Sequence, residues 1–208
     1  MAAEFNIPPC ESLLSFKTHI KYVLNYLDVR ADQMGLRLAR HIASASFPAQ
    51  ELADYRAHVF GCEPDMNAWT GKTNPRPYCD DLKLRSCGGH VHVGSGDLDK
   101  PSIIKSMDLH LGIPSLPLDP DTERRQLYGK AGAYRDKSYG AEYRTLSNFW
   151  IWHDQLIAWC WEGANRAVQF VARGNTIPEE IGLAIQAAIN AGDKPAERLC
   201  LEYLADVQ

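Results

Sequence analysis

The sequence predicts an α+β protein, in which a mixed first part is followed by a helical C-terminal part. Three observations predict this class. Apolar residues recur at helical spacing over residues 11–34, three later segments alternate apolar and polar residues as half-buried strands do, and the spacing is helical again from Trp150 onward. We therefore expect one domain over residues 1–208, with residues 150–208 as its helical C-terminal part.

The individual elements follow from the same patterns. Gly35 ends the first helix, and the prolines and glycines of residues 61–81 predict a long irregular loop. Strands are predicted over residues 36–43, 84–93 and 142–146, and residues 4–7 alternate as a further short strand would. Further helices are predicted over residues 50–59, 100–111, 150–172, 178–190 and 196–204. A proline-punctuated connection over residues 112–120 and a polar, glycine-containing segment over residues 121–140 join them.

The composition excludes several classes of protein. Hydrophobic residues make up 45% of the 208 residues and charged residues 23%, which is typical of a globular domain. The net charge of −4 argues against a duplex nucleic-acid partner, and no apolar run approaches the roughly 20 residues that cross a bilayer. The six cysteines are scattered and form no C-x-x-C pair, so we give them no catalytic role and expect a cytoplasmic protein.

Three segments place a polar pair where a core strand would have one apolar face. Strand alternation puts His90 and His92 on one face with flanking glycines, opposite two valines. Glu142 and Arg144 share a face in the same way, and Glu4 shares one with Asn6. Each pair alone fits an ordinary solvated surface. If the three faces line one cleft, His90, Glu4 and Glu142 are predicted ligands of a divalent cation, and Arg144 complements an anion.

The segment over residues 123–140 is rich in cations. It contains Arg124, Arg125, Lys130, Arg135 and Lys137, interleaved with glycines and tyrosines. In an acidic chain this excess predicts an anionic ligand, most simply polyphosphate or carboxylate, although a solvated connector has the same composition. The chain has neither G-x-x-x-x-G-K-[ST] nor G-x-G-x-x-G, so a nucleotide would be held by metal and side chains.

The motifs resemble those of a known family. They are Gly-Gly-His-Val-His-Val-Gly at residues 88–94, the arginine and tyrosine loop that follows, and Gly-Ala-Glu-Tyr-Arg-Thr-Leu-Ser-Asn-Phe-Trp at residues 140–150. Residues 3–9 and 60–65 also fit. Over residues 3–165 the chain resembles the carboxylate–amine ligases of the glutamate–cysteine ligase and glutamine synthetase superfamily, most closely the phage-encoded group of type 2.

This resemblance implies a fold, a reaction and roles for individual residues. The fold is a curved antiparallel sheet with packed helices, and ATP with two or more Mg²⁺ ions activates a carboxylate as an acyl phosphate that an amine captures. Arg144 would hold the substrate carboxylate or the transferring phosphoryl group, and Arg135 would neutralise developing charge. The general base is left open, with Asp136 as one candidate. The implied metal ligands are Glu4, His90 and Glu142, and the implied ATP-binding residues are His92, Arg125 and Lys130.

One departure from the family bears on activity. Family members begin with a strand of acidic metal ligands before the Glu-Phe-Asn segment, whereas Glu4 is four residues from the start here. We therefore expect one of three situations: the start is truncated, a partner chain or second copy supplies the strand and covers the open sheet edge, or the chain is an inactive relative with a binding or structural role. An active ligase would use small amines and carboxylates, or a peptide, in the cytoplasm of a host cell if phage-encoded. A metal-dependent hydrolase using His90 and His92 is a third hypothesis, which leaves the arginines without an anion.

Overall fold

The computed structural model describes residues 3–54, 65–75, 81, 83–119 and 121–207. Seven strands lie in these ranges: β1 (Ser44–Ser46), β2 (Met66–Asn67), β3 (Lys72–Thr73), β4 (Leu84–Ser86), β5 (Val91–Gly94), β6 (Ala133–Lys137) and β7 (Gly140–Tyr143). The α-helices are α1 (Leu13–Gln33), α2 (Lys100–Met107), α3 (Ile113–Ser115), α4 (Thr122–Leu127), α5 (Asp154–Ala172), α6 (Glu179–Ala191) and α7 (Lys194–Val207). This is a mixed fold of helices and antiparallel sheets, as predicted.

The strands form two antiparallel sheets. The larger has five strands in the order β3-β2-β6-β7-β5, and β1 pairs with β4 in the smaller. In the larger sheet, β7 is flanked by β6 and β5, with Glu142 opposite Arg135 on one side and opposite His92 on the other. Strand β7 therefore occupies the position in which it can join side chains from both neighbours.

The two faces of the larger sheet differ in chemistry. Tyr143, Ala141 and Val91 point into the main hydrophobic core, where α2 and α5 contribute Ile104 and Ile157. A second core joins α6 and α7 to the segment around α3. Because strand side chains alternate, residues next to these core positions, such as Glu142, lie on the opposite face. The helices thus cover one face, and the polar residues collect on the other.

Several predicted helices are confirmed. α1 begins after Ser12, whose side chain accepts a hydrogen bond from the Ser15 amide, and it ends at Met34, with Gly35 in the left-handed region at φ +69°. The predicted helices over residues 178–190 and 196–204 correspond to α6 and α7. The predicted helix over residues 150–172 begins as a 3₁₀ turn at Asn148–Trp152 and continues as α5. None of the described helices is long and apolar enough to cross a membrane.

Two strand predictions near the start of the chain are wrong. Residues 36–43 form no strand, because their alternation faces no core: Leu36 and Ile42 are about half exposed, and His41 adopts a positive φ of 61°. Residues 3–10 also lack regular structure, and the two prolines that follow Ile7 remove the amides that a strand would need. Glu4 and Asn6 are exposed there, while Phe5 and Ile7 are partly buried, so the alternation is present without a strand.

Five predictions in the middle of the chain are corrected. The single strand predicted over residues 84–93 is two strands, β4 and β5, in different sheets. The segment over residues 121–140 is not a loop but contains α4 and β6, and β7 ends at Tyr143, just before Arg144. Residues 65–75 of the predicted long loop form the β2–β3 hairpin. The predicted helix over residues 50–59 has a 3₁₀ turn at Ala49–Leu52, and residues 55–64 lie outside the described part.

A buried carboxylate links the helices to the sheet. The predicted helix over residues 100–111 divides into α2 and a π-helical segment, Asp108–Gly112. The Asp108 carboxylate accepts hydrogen bonds from Trp69 Nε1 at 2.7 Å, Tyr143 Oη at 2.8 Å and the Gly132 amide at 2.6 Å. Burial raises the pKa of Asp108 to about 7, although these hydrogen bonds act in the opposite direction. The network fixes β7 from its core side.

Candidate functional site

Three predicted site residues form a row across the sheet. Glu142 on β7 is the register partner of Arg135 on β6 and of His92 on β5. Cross-strand partners on one face have neighbouring side chains, so this row brings together a carboxylate, a guanidinium and an imidazole. The polar face predicted from strand alternation is therefore present, and it extends across the adjacent strands β5, β7 and β6.

Glu142 is the centre of a set of ion pairs. Its Oε1 atom is paired with Arg144 Nη1, and its Oε2 atom lies 2.9 Å from Lys137 Nζ. The side chain is only 6% exposed. Burial would raise the pKa of Glu142, but hydrogen bonds from His90 and Lys137 and the charge of Arg144 outweigh it, so the pKa lies well below its usual range. Glu142 is an anion at neutral pH.

Arg144 joins this carboxylate to a second one. Its Nε atom lies 2.8 Å from Asp65 Oδ1, and Arg135 Nε lies 3.5 Å from the same oxygen. Asp65 is 9% exposed, and burial raises its pKa despite the nearby charges of Arg144 and Arg135. Sequence reasoning missed this residue as a site component. The signal was present, since Asp65 ends the 60–65 segment that fits the ligase family.

A fourth cation supports the site from within the fold. Arg124 on α4 is almost fully buried, and it donates hydrogen bonds to the backbone carbonyls of Arg144 at 3.0 Å and Thr145 at 2.8 Å. Burial lowers the pKa of Arg124 to about 10, which still leaves it charged at neutral pH. It therefore fixes the backbone from which Arg144 projects, a role that its place in a presumed polar loop did not indicate.

The two histidines have different environments. His90 Nδ1 lies 3.0 Å from Arg144 Nη1 and 3.2 Å from Glu142 Oε1, so the ring accepts from Arg144 in one tautomer and donates to Glu142 in the other. Burial lowers the pKa of His90 to about 4, so the ring is neutral at neutral pH. His92 is exposed and hydrogen-bonded to the hydroxyl of Tyr139. His92 is therefore the histidine that a ligand can reach directly.

A comparison with known families finds one match. Residues 79–174 match the family model described as "Phage phiEco32-like COOH.NH2 ligase-type 2". Over these 96 of the 208 residues the chain is similar to the COOH–NH2 ligases of type 2. The match confirms the family predicted from the sequence motifs. It contains all the predicted site residues except Glu4, and it does not include Asp65. No curated protein and no solved structure matches the chain.

Three predicted residues lie apart from the row. Glu4 is exposed, in the irregular segment before α1 and within electrostatic range of Cys87. Arg125 on α4 donates a 2.6 Å hydrogen bond to the Asp119 carbonyl. Lys130 follows α4, and its carbonyl accepts a hydrogen bond from Thr145. The structure thus assembles His90, His92, Arg135, Glu142 and Arg144, and it gives these three no described contact with them.

The arrangement does not fit a Mg²⁺ ion. Mg²⁺ binds oxygen ligands, chiefly carboxylates, but both oxygens of Glu142 are paired with cationic side chains and Asp65 is paired with Arg144. The Arg144 guanidinium contacts both carboxylates, so it occupies the position that a bridging cation would need. Among the described residues, no group of three or more His, Cys, Asp or Glu side chains could hold a metal ion.

The glycines beside His90 allow the chain to contact itself closely. A Cβ atom on Gly89 would lie 2.3 Å from the Ser147 carbonyl oxygen and 2.6 Å from Trp150 Nε1. A Cβ atom on Gly88 would lie 2.2 Å from His90 Nε2. The protein itself therefore fills the space that these glycines leave, and the contact holds the segment before β5 against residues 147–150.

We expect Gly89→Ala to lower the free energy of unfolding by about 1–3 kcal/mol, because the added methyl group meets backbone that cannot move aside. Gly94→Ala is the matched control on the same segment, since its nearest non-neighbouring atom would be 3.8 Å away and its φ is not in the left-handed region. Urea unfolding followed by tryptophan fluorescence measures both variants. Equal midpoints for the two would contradict the packing argument.

Proposed function

We propose that the chain is an ATP-dependent carboxylate–amine ligase that forms an amide through an acyl-phosphate intermediate. The observation that supports this most is the excess of positive charge on the polar face of the sheet. In the part of the chain that the structure describes, Arg135, Lys137 and Arg144 lie around two carboxylates, Asp65 and Glu142, and His90 between them is neutral. Such a surface attracts phosphate and carboxylate groups. The family that residues 79–174 match is described as a COOH–NH2 ligase.

The proposed reaction has two steps. A substrate carboxylate oxygen attacks the γ-phosphorus of ATP, the bond from phosphorus to the bridging oxygen breaks, and ADP leaves with that electron pair. An amine nitrogen then attacks the acyl carbon, the carbon–oxygen bond to phosphate breaks, and inorganic phosphate leaves while the nitrogen loses a proton. Both steps bring anions together, so fixed cations near the reacting oxygens lower the barrier.

The cations divide into two roles under this proposal. Arg135 and Lys137 are 28% and 32% exposed, so they can contact a bound phosphate from the protein surface. Arg144 is 5% exposed, so it lies beneath the surface, where its ion pairs orient Glu142 and Asp65. His92, which is exposed and neighbours Glu142 in register, adds a neutral hydrogen-bonding group at the edge strand. The five-stranded sheet then corresponds to the ligase sheet of the superfamily, and the substrates are small amines and carboxylates or a peptide.

A second candidate function is anion binding without chemistry, as in an inactive relative. The observation that favours it is the complete pairing of Glu142, whose two oxygens contact Arg144 and Lys137. A carboxylate held in this way is not available to bind a further cation or accept a proton. On this alternative the chain binds a phosphate-containing ligand and does not turn it over.

We expect Arg135→Met to weaken ATP binding by about tenfold or more, because it removes a charge-assisted contact to phosphate at the surface of the site. Arg198→Met is the matched control: it removes the same charge from α7, where Arg198 is 83% exposed and paired with Glu202. Isothermal titration with ATP, with and without added Mg²⁺, measures the affinity. Equal affinities for both variants and the unsubstituted chain would contradict the placement of the site.

Turnover separates the two candidate functions. ADP release in the presence of a panel of carboxylates and amines, reduced by Arg135→Met and unchanged by Arg198→Met, supports the ligase. ATP binding that depends on Arg135 without any ADP release supports the binding protein. Failure of both ATP and pyrophosphate to bind contradicts both.

A further inference from the structure

We propose that a cavity on the helical side of the sheet binds a small organic acid that has one carboxylate and an aromatic body. The cavity has a volume of about 450 Å³, which is within the range of small-molecule sites. It lies between α2, the end of α5, the connection from α5 to α6 and the first turns of α6, with Trp69 at one side. Arg135, Lys137 and Arg144 do not line it, so this inference does not depend on the proposed ligase function.

One wall of the cavity is apolar and held in place by the fold. Trp69 packs against α6, because a Cβ atom on Gly182 would lie only 2.7 Å from the Trp69 ring. The Nε1 atom of the same ring donates a 2.7 Å hydrogen bond to Asp108. Phe170 and Ile177 add further apolar surface to the lining. A ligand ring that covers this wall removes apolar surface from water on both sides of the contact, which favours binding.

One cationic side chain lines the cavity beside this wall. Lys105 Nζ lies 5.4 Å from the centroid of the Trp69 ring, so the ammonium group is held next to the aromatic surface. In the part of the chain that the structure describes, Lys105 makes no ion pair, and its charge is available to a ligand. A carboxylate that contacts this ammonium group makes a charge-assisted hydrogen bond. The site therefore favours a ligand whose carboxylate is next to its ring.

A second charged side chain limits how much negative charge the ligand can carry. Glu179, the first residue of α6, is exposed and lines the same cavity. Its carboxylate repels a second anionic group, so a polyphosphate or a dicarboxylate is disfavoured. Neutral side chains, among them Asn175 and Thr176, form much of the remaining polar lining. The cavity thus complements a single negative charge, which distinguishes it from the cation-rich polar face of the sheet.

Isothermal titration with diphenylacetate tests the proposal, with diphenylacetamide and acetate as comparison ligands. Diphenylacetate is expected to bind at least about tenfold more tightly than either, because the amide lacks the charge and acetate lacks the rings. Such a difference shows that the site recognises the carboxylate and the aromatic body together. Equal affinities for diphenylacetate and either comparison ligand overturn the proposal, as does the absence of saturable binding up to the solubility limit.

Substitution of Lys105 tests whether this ammonium group holds the carboxylate. Lys105→Met is expected to weaken diphenylacetate binding by at least about tenfold, whereas Lys105→Arg keeps the charge and is expected to retain binding. Lys17→Met is the matched control, because Lys17 is also a partly buried lysine on a helix but lies on α1, outside the cavity. Circular dichroism shows whether each variant is folded. Equal affinities for folded Lys105→Met and Lys17→Met overturn the assignment of the site.

Hydrogen–deuterium exchange locates the bound ligand independently of any substitution. With diphenylacetate present, amide exchange is expected to slow over residues 170–183, which include the end of α5, the connection and the start of α6. Slower exchange there places the ligand in the cavity. Protection confined to residues 133–144 would place it on the polar face of the sheet and overturn the proposal.

Discussion

Replacing Arg144 with methionine is expected to lower the free energy of unfolding by about 3–5 kcal/mol. Arg144 pairs with both Glu142 and Asp65, whose side chains are 6% and 9% exposed. Methionine fills a similar volume but leaves these two carboxylates buried without their shared cation, and an uncompensated buried charge is costly. Chemical unfolding monitored by circular dichroism measures the loss.

Two further variants isolate the cause of this loss. Arg166→Met removes an arginine that is 41% exposed and paired with Glu162 on the surface of α5, so it is expected to change stability by less than about 1 kcal/mol. Combining Arg144→Met with Glu142→Gln removes the Glu142 charge that the first substitution leaves without its arginine partner. The double variant is therefore expected to recover part of the lost stability. If the double variant is less stable than the sum of the single changes, the ion-pair explanation is wrong.

Asp108→Asn is expected to lower the free energy of unfolding at pH 5 by about 1–3 kcal/mol. The carboxyl group, which is protonated in the folded protein at pH 5, accepts hydrogen bonds from Trp69 and Gly132 on one oxygen, and its other oxygen lies 2.8 Å from the Tyr143 hydroxyl. An amide has two N–H hydrogens where the acid has one O–H, so it brings an additional donor to a site already crowded with donors. At least one buried hydrogen-bonding group is then left without a partner.

The same substitution is expected to change the pH dependence of stability. Because burial raises the pKa of Asp108 from 3.8 to about 7, the folded protein binds a proton that the unfolded chain has released. The stabilisation is complete below about pH 4 and is lost as the pH rises through about 7. Asp108→Asn lacks this contribution, so its deficit relative to the unsubstituted chain narrows between pH 5 and pH 8.

Urea unfolding at several pH values tests this behaviour. Asp154→Asn is the control, since Asp154 lies on the surface and pairs only with Lys21 among the described side chains. It is expected to change stability little at any of these pH values. A deficit for Asp108→Asn that stays constant from pH 5 to pH 8 would show that the buried carboxylate does not titrate in this range.

The sequence allowed the polar face of the sheet to be predicted because strand alternation is a local property. Once His90, His92, Glu142 and Arg144 are placed on extended segments, period-two alternation puts each pair on one face. The valines opposite the histidines are packed on the core, as this argument requires. The motifs around the same residues also indicated the family.

Other parts of the site depend on contacts that no local pattern encodes. Asp65 reaches Arg144 only because β2 pairs with β6, a pairing between segments far apart in sequence. Arg124 looked like a surface cation in a polar segment, yet it is buried because the backbone carbonyls after β7 give it partners. The alternation of residues 36–43 failed as a strand signal because half-exposed Leu36 and Ile42 have no core surface to cover. Burial and long-range pairing, rather than propensity, decided these cases.

The position of Asp65 also determines how the chain can be shortened. The segment that matches the family begins at residue 79, whereas Asp65, β2 and the Trp69 side chain that donates to Asp108 all precede it. A fragment cut at the family boundary would keep Arg144 and Glu142 but lose the second carboxylate and a donor to the buried aspartate. The smallest unit that preserves the site therefore starts before residue 65, and sequence similarity alone would place that boundary too late.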